Sequence, residues 1–443
     1  MLIEFRTKNY KSFNEELIFS MVPAPKQKGL DYSILIEKIG SKVYKALCSS
    51  VIYGPNASGK TNLIGAMEVL KSIVLRGNVK NANEYLSPNI ALSKLELIPN
   101  AKNKNNKPTM FFIKFFENNI LFEFKLIIDL GGFLDKNYKR KIIYEHLSVN
   151  EKVVFSRNKN ELQFGELSFV EKFGILGFDE NKSSVISLAK ENLQEEELFL
   201  TSGFKVMFSS IIVNMITSWF KNKFIIVYRA DMLETHKDIT KPKKNMIYKD
   251  DFNEAARIFG SSFSDVGYIV EDEEAEPTRV SIVGNRAILT DLFESYGTIR
   301  FMNMFPLLVS ALKNGGTLVI DEFDASIHPM ALMNIVNIFH NDEVNVNKAQ
   351  LIFNTHNPIF LNRNLFRRDE IKFVERDDFT HNSTLYSLSD FGTSGKSGAR
   401  KQSDYMKNYF ISQYGAIKEV DFTPIFEKIL KEAESTSYEK EEE

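Results

Sequence analysis

The segment Gly54-Pro55-Asn56-Ala57-Ser58-Gly59-Lys60-Thr61 follows an apolar run over 48–53 and leads into Asn62-Leu63-Ile64-Gly65-Ala66-Met67. It meets G-x-x-x-x-G-K-[ST] at every fixed position, in the strand, loop and helix context that a phosphate-binding P-loop requires. Glycines let the backbone curl so that its N–H groups converge on phosphate oxygens, and the following helix adds its positive N-terminal end. On this reading Gly54, Pro55, Asn56, Ala57, Ser58, Gly59, Lys60, Thr61 and Asn62 contact the nucleotide. Lys60 reaches the β- and γ-phosphates, and the Thr61 hydroxyl holds Mg²⁺. The alternative is a glycine-rich turn that matches by chance, which the flanking strand and helix argue against.

Gly316-Thr317-Leu318-Val319-Ile320-Asp321-Glu322 forms a second constellation. An apolar, β-branched run ending in two acids reads as a buried parallel strand whose C-terminal end meets a ligand. Paired with a P-loop, Asp321 binds Mg²⁺ through water, and Glu322 polarises the water that attacks the γ-phosphate. Gln350-Leu351-Ile352-Phe353-Asn354-Thr355-His356-Asn357-Pro358 is another short apolar strand. His356 stands at its end, where a neutral ring could sense the phosphate or hold the attacking water. His146, His236, His340 and His381 have no acidic or cysteine neighbours at metal spacing and read as ordinary surface or boundary residues.

A third element, Glu294-Ser295-Tyr296-Gly297-Thr298-Ile299-Arg300, opens an apolar helix over 301–312. Such a turn is a second anion cradle, built from hydroxyls and N–H groups at a positive helix end. One nucleotide does not need two cradles from one chain. The expectation is therefore that Ser295, Gly297 and Thr298 clamp the γ-phosphate of a nucleotide bound to another subunit. The plainer reading is an ordinary helix cap.

With 443 residues, the chain can bury one large core or two to three smaller units. A formal charge of −2 argues against a uniformly basic nucleic-acid coat. The single cysteine, Cys48, rules out an intrachain disulfide and reads as a reduced core thiol, which fits a cytoplasmic protein. The opening Met1-Leu2-Ile3-Glu4-Phe5-Arg6 carries charge at once and lacks the look of a secretory leader. No apolar run approaches the roughly 18 residues of a membrane span, and 211–220 reads as a buried helix.

The expected fold is α/β, with a mostly parallel core sheet, an antiparallel β subdomain and a helical insertion. Residues 1–80 form an N-terminal ATPase lobe carrying the P-loop. Residues 81–182 form the antiparallel subdomain, signalled by alternating runs at 110–116 and 120–128 that Glu117-Asn118-Asn119 divides. Residues 183–280 form the helical insertion, 281–390 a C-terminal ATPase lobe, and 391–443 a tail segment. Gly392-Thr393-Ser394-Gly395-Lys396-Ser397 mimics a P-loop, but Asp390 takes the first glycine position and no apolar strand closely precedes it.

With Asn56 third in the loop and Asn62 after the hydroxyl, the P-loop resembles that of ABC/SMC-type ATPases. The long separation from the loop to Asp321-Glu322, and the strand ending in His356, fit that class. Within it, the opening 3–13 and Asp321-Glu322-Phe323-Asp324-Ala325-Ser326-Ile327-His328-Pro329 resemble stand-alone bacterial phage-defence ATPases. So do 366–375, Leu385-Tyr386-Ser387-Leu388-Ser389-Asp390-Phe391 and Tyr414-Gly415-Ala416-Ile417. These ATPases are of the abortive-infection and overcoming-lysogenization-defect-like kind, including the RloA type and the AriA subunit of PARIS.

The resemblance implies ATP and Mg²⁺ as cofactors, hydrolysis by Glu322, and a homo-oligomer with ATP at its subunit interfaces. The chain lacks the acidic clusters of a C-terminal Toprim nuclease, so a separately encoded nuclease or toxin would act as effector. A phage-encoded trigger or DNA stays open as a further partner; a membrane is not expected. No glutamine lies between Thr61 and Gln163 to supply the Mg²⁺ contact usual in ABC and SMC heads, and long coiled-coil arms are missing. Residues 160–277 resemble nothing named and are the candidate sensing or partner surface. A RecF-like DNA-repair ATPase is the alternative, with basic residues at 237–249 and 363–368 as candidate phosphate contacts. A nucleotide-gated scaffold that hydrolyses slowly or not at all is another.

Overall fold

The computed structural model describes residues 1–443 except 26, 28, 81–94, 103–105, 134, 136–137, 166, 168–177, 230–245, 249, 261–263, 270–277, 393–397, 401, 419 and 432–443. Residues 393–397 of the P-loop mimic and most of the basic stretch 237–249 lie outside the described residues.

The strands in chain order are β1 (Leu2–Lys8), β2 (Leu17–Ser20), β3 (Ile34–Ile39), β4 (Lys42–Leu47), β5 (Ser49–Tyr53), β6 (Thr109–Glu117) and β7 (Ile120–Asp129). They continue as β8 (Lys141–Val149), β9 (Lys152–Asn158), β10 (Glu161–Phe164), β11 (Phe224–Val227), β12 (Met246–Tyr248) and β13 (Asp265–Ile269). The last are β14 (Thr278–Val283), β15 (Arg286–Leu289), β16 (Thr317–Ile320), β17 (Gln350–Asn354), β18 (Ile371–Arg376) and β19 (Ser383–Ser387).

The central sheet has the order β11-β16-β17-β5-β18-β19. All its pairings are parallel except β18 with β19. Strands β5, β16 and β17 are short and buried along their whole length because both faces are covered. Ile52, Val319 and Ile352 point into one core together with Leu63, Ile64, Met67 and Leu70 of the P-loop helix Lys60–Arg76. Val51, Tyr53, Leu318, Ile320, Leu351 and Phe353 point into the other, against the helices Tyr296–Asn314 and Pro329–His340. That two-residue alternation lets each strand fill two cores at once.

The antiparallel sheet has the order β10-β9-β8-β7-β6-β1-β2. The strands expected at 110–116 and 120–128 therefore share one sheet with β1 and β2, since β1 pairs with β6. Glu117-Asn118-Asn119 makes the expected turn, with Asn118 at φ 51° and Asn119 at φ 60°. Asparagine tolerates this left-handed backbone better than most residues. The inner face meets the helical insertion through Phe115, whose ring stacks 3.9 Å from Trp219. Each fully buried aromatic of this kind contributes about 1.5–3 kcal/mol of burial.

The insertion is helical at Phe178–Glu191 and over 200–207 and 210–223. An antiparallel sheet of order β12-β13-β14-β15 begins within it and runs past residue 280 into the C-terminal lobe, and the insertion also carries the helix Asp250–Phe259. Phe259 of that helix stacks at 4.2 Å on Phe301 of the helix Tyr296–Asn314. These strands are three to six residues long and separated by polar, acidic stretches, so no periodicity of useful length announces them.

Candidate functional site

Strand β5 ends at Tyr53, and the chain turns through 54–59 into the helix Lys60–Arg76. Two glycines are required by crowding. A Cβ at Gly54 would lie 2.2 Å from the Val374 carbonyl oxygen; one at Gly59 would lie 2.7 Å from Ser12 Oγ and 2.8 Å from Ser383 Oγ. The loop is thus clasped from outside. Asn62 Nδ2 donates to Ser12 Oγ at 2.9 Å, and Ser383 Oγ donates to the Ser58 carbonyl.

Lys60 is buried, and its Nζ donates to the carbonyls of Gly54 (2.7 Å) and Pro55 (3.1 Å). Burial lowers its pKa to about 8, against the pull of Asp321, Glu322 and Asp324. A largely desolvated cation lining the P-loop cavity suits a polyphosphate.

Sheet order places the acids. Because β17 lies between β5 and β16, its last residue, Asn354, stands between the P-loop and Asp321. Thr61 Oγ1 donates to Asp321 Oδ1 at 3.1 Å, and Asn354 Nδ2 donates to the same oxygen. Burial pushes the Asp321 carboxyl pKa up, while these two hydrogen bonds oppose the shift. The Thr61 hydroxyl and the Asp321 carboxylate, side by side, are oxygen donors of the kind Mg²⁺ takes directly or through water, so the residues present fit that ion.

Glu322 follows in a left-handed conformation, φ 51°. Such backbone is costly for a residue with a Cβ and persists only when its surroundings fix it. Both peptide groups are fixed here: Glu322 N donates to Asn354 Oδ1 at 2.6 Å, and Arg300 Nη2 donates to Glu322 O at 2.5 Å. Glu322 lines a cavity of about 300 Å³ with Lys60, Thr61, Asn354, His356 and Arg376, over the P-loop residues 56–59 and Asn62. Partial enclosure, with the Lys60 cation nearby, holds the His356 imidazole below its ordinary pKa and so neutral near pH 7.

The structure therefore brings together the P-loop, Asp321, Glu322 and His356. Ser295, Gly297 and Thr298 are not among the residues that line this cavity. Ser295 caps the helix Tyr296–Asn314: its Oγ accepts from Thr298 N at 3.2 Å and lies 2.9 Å from Thr298 Oγ1. A Cβ at Gly297 would lie 2.3 Å from the Ser326 carbonyl oxygen, so this turn packs on the loop that follows Glu322.

A family model described as "AAA domain, putative AbiEii toxin, Type IV TA system" matches residues 49–362, from the first residue of β5 to just beyond His356. The chain belongs to this AAA-domain family. Its P-loop domain is accordingly of ATPase type, and the P-loop, Asp321, Glu322 and His356 fall inside the matched span. Among solved structures, the chain is similar to the SMC head domain from Thermotoga maritima, at 13% identity over 87% of this chain and 98% of that one, with a TM-score of 0.36. No curated protein matches the chain.

Sequence reasoning missed Asn354 and Arg376. Asn354 was legible only as the residue before Thr355-His356 at the end of an apolar strand; its role depends on which strands flank β17. Arg376 donates to the Ala57 carbonyl at 3.4 Å from the far side of the P-loop. The reading of His340 needs correction, because its acidic and cysteine neighbours are distant in sequence but adjacent in space. Of the basic residues at 363–368, Arg367 is buried and paired with Asp369 at 3.0 Å, so it offers nothing to a nucleic-acid backbone. Among the described residues no helix is long and apolar enough to cross a membrane.

Proposed function

We propose that the protein binds and hydrolyses Mg²⁺-ATP, and that this cycle gates a separately encoded effector in an anti-phage, abortive-infection system. The observation that carries the chemistry is the convergence of Thr61, Asp321 and Asn354, with Glu322 fixed at both peptide groups over the P-loop cavity. Lys60 and the loop N–H groups would bind and orient the phosphates. Thr61 and Asp321 would hold Mg²⁺, which when bound neutralises charge developing on the phosphate oxygens. Glu322 would orient the attacking water and accept its proton, and neutral His356 could complete that water's hydrogen bonding. The work of hydrolysis would then be mechanical, opening or closing a hold on the effector. The family description, with its toxin and its toxin–antitoxin system, supports such a context.

Glu322→Gln tests the chemistry. It keeps the size and the backbone hydrogen bonds but removes the base, so ATP should still bind while turnover falls about 100-fold or more. Unchanged turnover would remove Glu322 from the role. Phage plating on cells carrying the native operon tests the biology. Protection should require both Lys60 and the neighbouring gene; equal plating with wild type and Lys60→Ala across a broad phage panel would end the defence reading.

A further inference from the structure

The end of the central sheet opposite the P-loop holds a second cluster of metal-binding groups. Cys48 immediately precedes β5, His340 ends the helix Pro329–His340, and Glu370 immediately precedes β18. All three are buried, with Cys48 and Glu370 at 0% exposure and His340 at 5%. The Cys48 sulfur, a His340 ring nitrogen and a Glu370 carboxylate oxygen lie within 4.8 Å of one another. His340 Nε2 is 3.2 Å from Glu370 Oε1, and Ser49 Oγ lies 2.9 Å from that nitrogen and 2.7 Å from that oxygen. The other carboxylate oxygen accepts from Arg367 N at 2.8 Å, which orients the group. The second ring nitrogen, His340 Nδ1, is buried and has no hydrogen-bond partner among the described residues.

The geometry points to a structural Zn²⁺ site formed by Cys48, His340 and Glu370, with the Ser49 hydroxyl or a water in the fourth position. Sulfur, imidazole and carboxylate are the donor types zinc takes, at about 2.3 Å for sulfur and 2.0–2.2 Å for nitrogen and oxygen. Tetrahedral ligands at those lengths lie about 3.3–3.6 Å apart, close to the His340–Glu370 separation and within a small side-chain adjustment of the cysteine. Charge also favours the divalent ion. A thiolate, a carboxylate and a neutral imidazole around Zn²⁺ sum to zero in a site closed to water, where net charge is costly. The site would tie β5 to a helix and a strand from the far end of the sequence, remote from the phosphates.

Cobalt substitution tests this directly, because Cys48 is the only cysteine in the chain. Untagged full-length protein would be purified, analysed for bound zinc, stripped with chelator and titrated with Co²⁺. The expected results are about one zinc per chain and, with cobalt, a thiolate-to-cobalt charge-transfer band that one equivalent of Zn²⁺ abolishes. Lys60→Ala should keep that band, which separates this site from the nucleotide site. Cys48→Ser should lose it, and should lose the rise in melting temperature that zinc gives the stripped wild type. If Cys48→Ser does not fold, the wild-type cobalt spectrum decides alone. A spectrum without the thiolate band overturns the site, whether or not ATP is hydrolysed.

Discussion

Asn354 is the residue on which the site geometry turns, since one amide serves both acids: its nitrogen holds Asp321 and its oxygen holds the Glu322 peptide. Asn354→Ala would leave the buried Asp321 carboxylate with one fewer donor and release the left-handed Glu322 backbone. Loss of such a supporting group typically costs 10–100-fold. Turnover should fall by about that factor, with ATP affinity changed far less, because Asn354 does not belong to the P-loop. A fall in affinity alone, at unchanged kcat, would contradict this. Lys60 gives a pH prediction at the same scale. Burial lowers its pKa to about 8, so above that pH the free protein carries a neutral amine and phosphate binding must restore the proton. ATP affinity should therefore be flat below pH 8 and weaken by about tenfold per pH unit above it, until the pKa of the bound state is reached. Calorimetric titration from pH 7 to about 9.5 would expose a flat profile if Lys60 makes no ionic contact.

At the scale of elements, the turn at 295–298 meets the loop after Glu322 within one chain, and Gly297 allows the contact. Gly297→Ala places a methyl group against the Ser326 carbonyl, a backbone atom that cannot swing aside as a side chain would. The loop must shift, and with it the peptide of Glu322 that Arg300 holds from the same helix. Turnover should drop at least several-fold while equilibrium ATP binding persists, measured side by side on a folded variant. Parallel loss of both would place Gly297 in the P-loop's own support instead. The elements that carry these contacts were readable from sequence to different depths. The P-loop, β16 with its acids, and the β6–β7 hairpin each announce themselves by a local pattern: a loop motif, an apolar run ending in charge, an alternation broken by asparagines. Asn354 and Arg376 do not, because sheet order and not local spacing brings them to the P-loop cavity. Cys48, His340 and Glu370 were invisible for the same reason. The short strands β12 to β15 lack enough residues for a period to show. The contact of Gly297 with Ser326 is likewise tertiary, so the sequence reading could see the turn but not what it touches.

For the whole molecule, the central question is whether the turn at 295–298, expected from sequence to be a second anion cradle, meets an anion. Ser295 is exposed on the surface, its helix N-terminus is capped by its own hydroxyl, and the cavity over the P-loop excludes it. Leu292 and Tyr296 beside it are 79% and 55% exposed, so the turn sits in an apolar surround rather than a purely solvated one. A second copy whose ATP projects from the P-loop would meet this surface with its γ-phosphate. The cradle and its apolar rim would then be buried together, and hydrolysis would break the contact by removing the group that bridges it. Glu322→Gln, which retains ATP, should accumulate an ATP-dependent dimer or larger species in sedimentation. Adding Ser295→Arg should abolish that species by placing a bulky side chain in the cradle. ATP affinity of the monomer should stay unchanged, because Ser295 touches nothing in its own chain's nucleotide cavity. A Glu322→Gln protein that saturates with ATP yet sediments as a monomer at all concentrations would leave the cradle an ordinary helix cap and require the gating to occur within one chain.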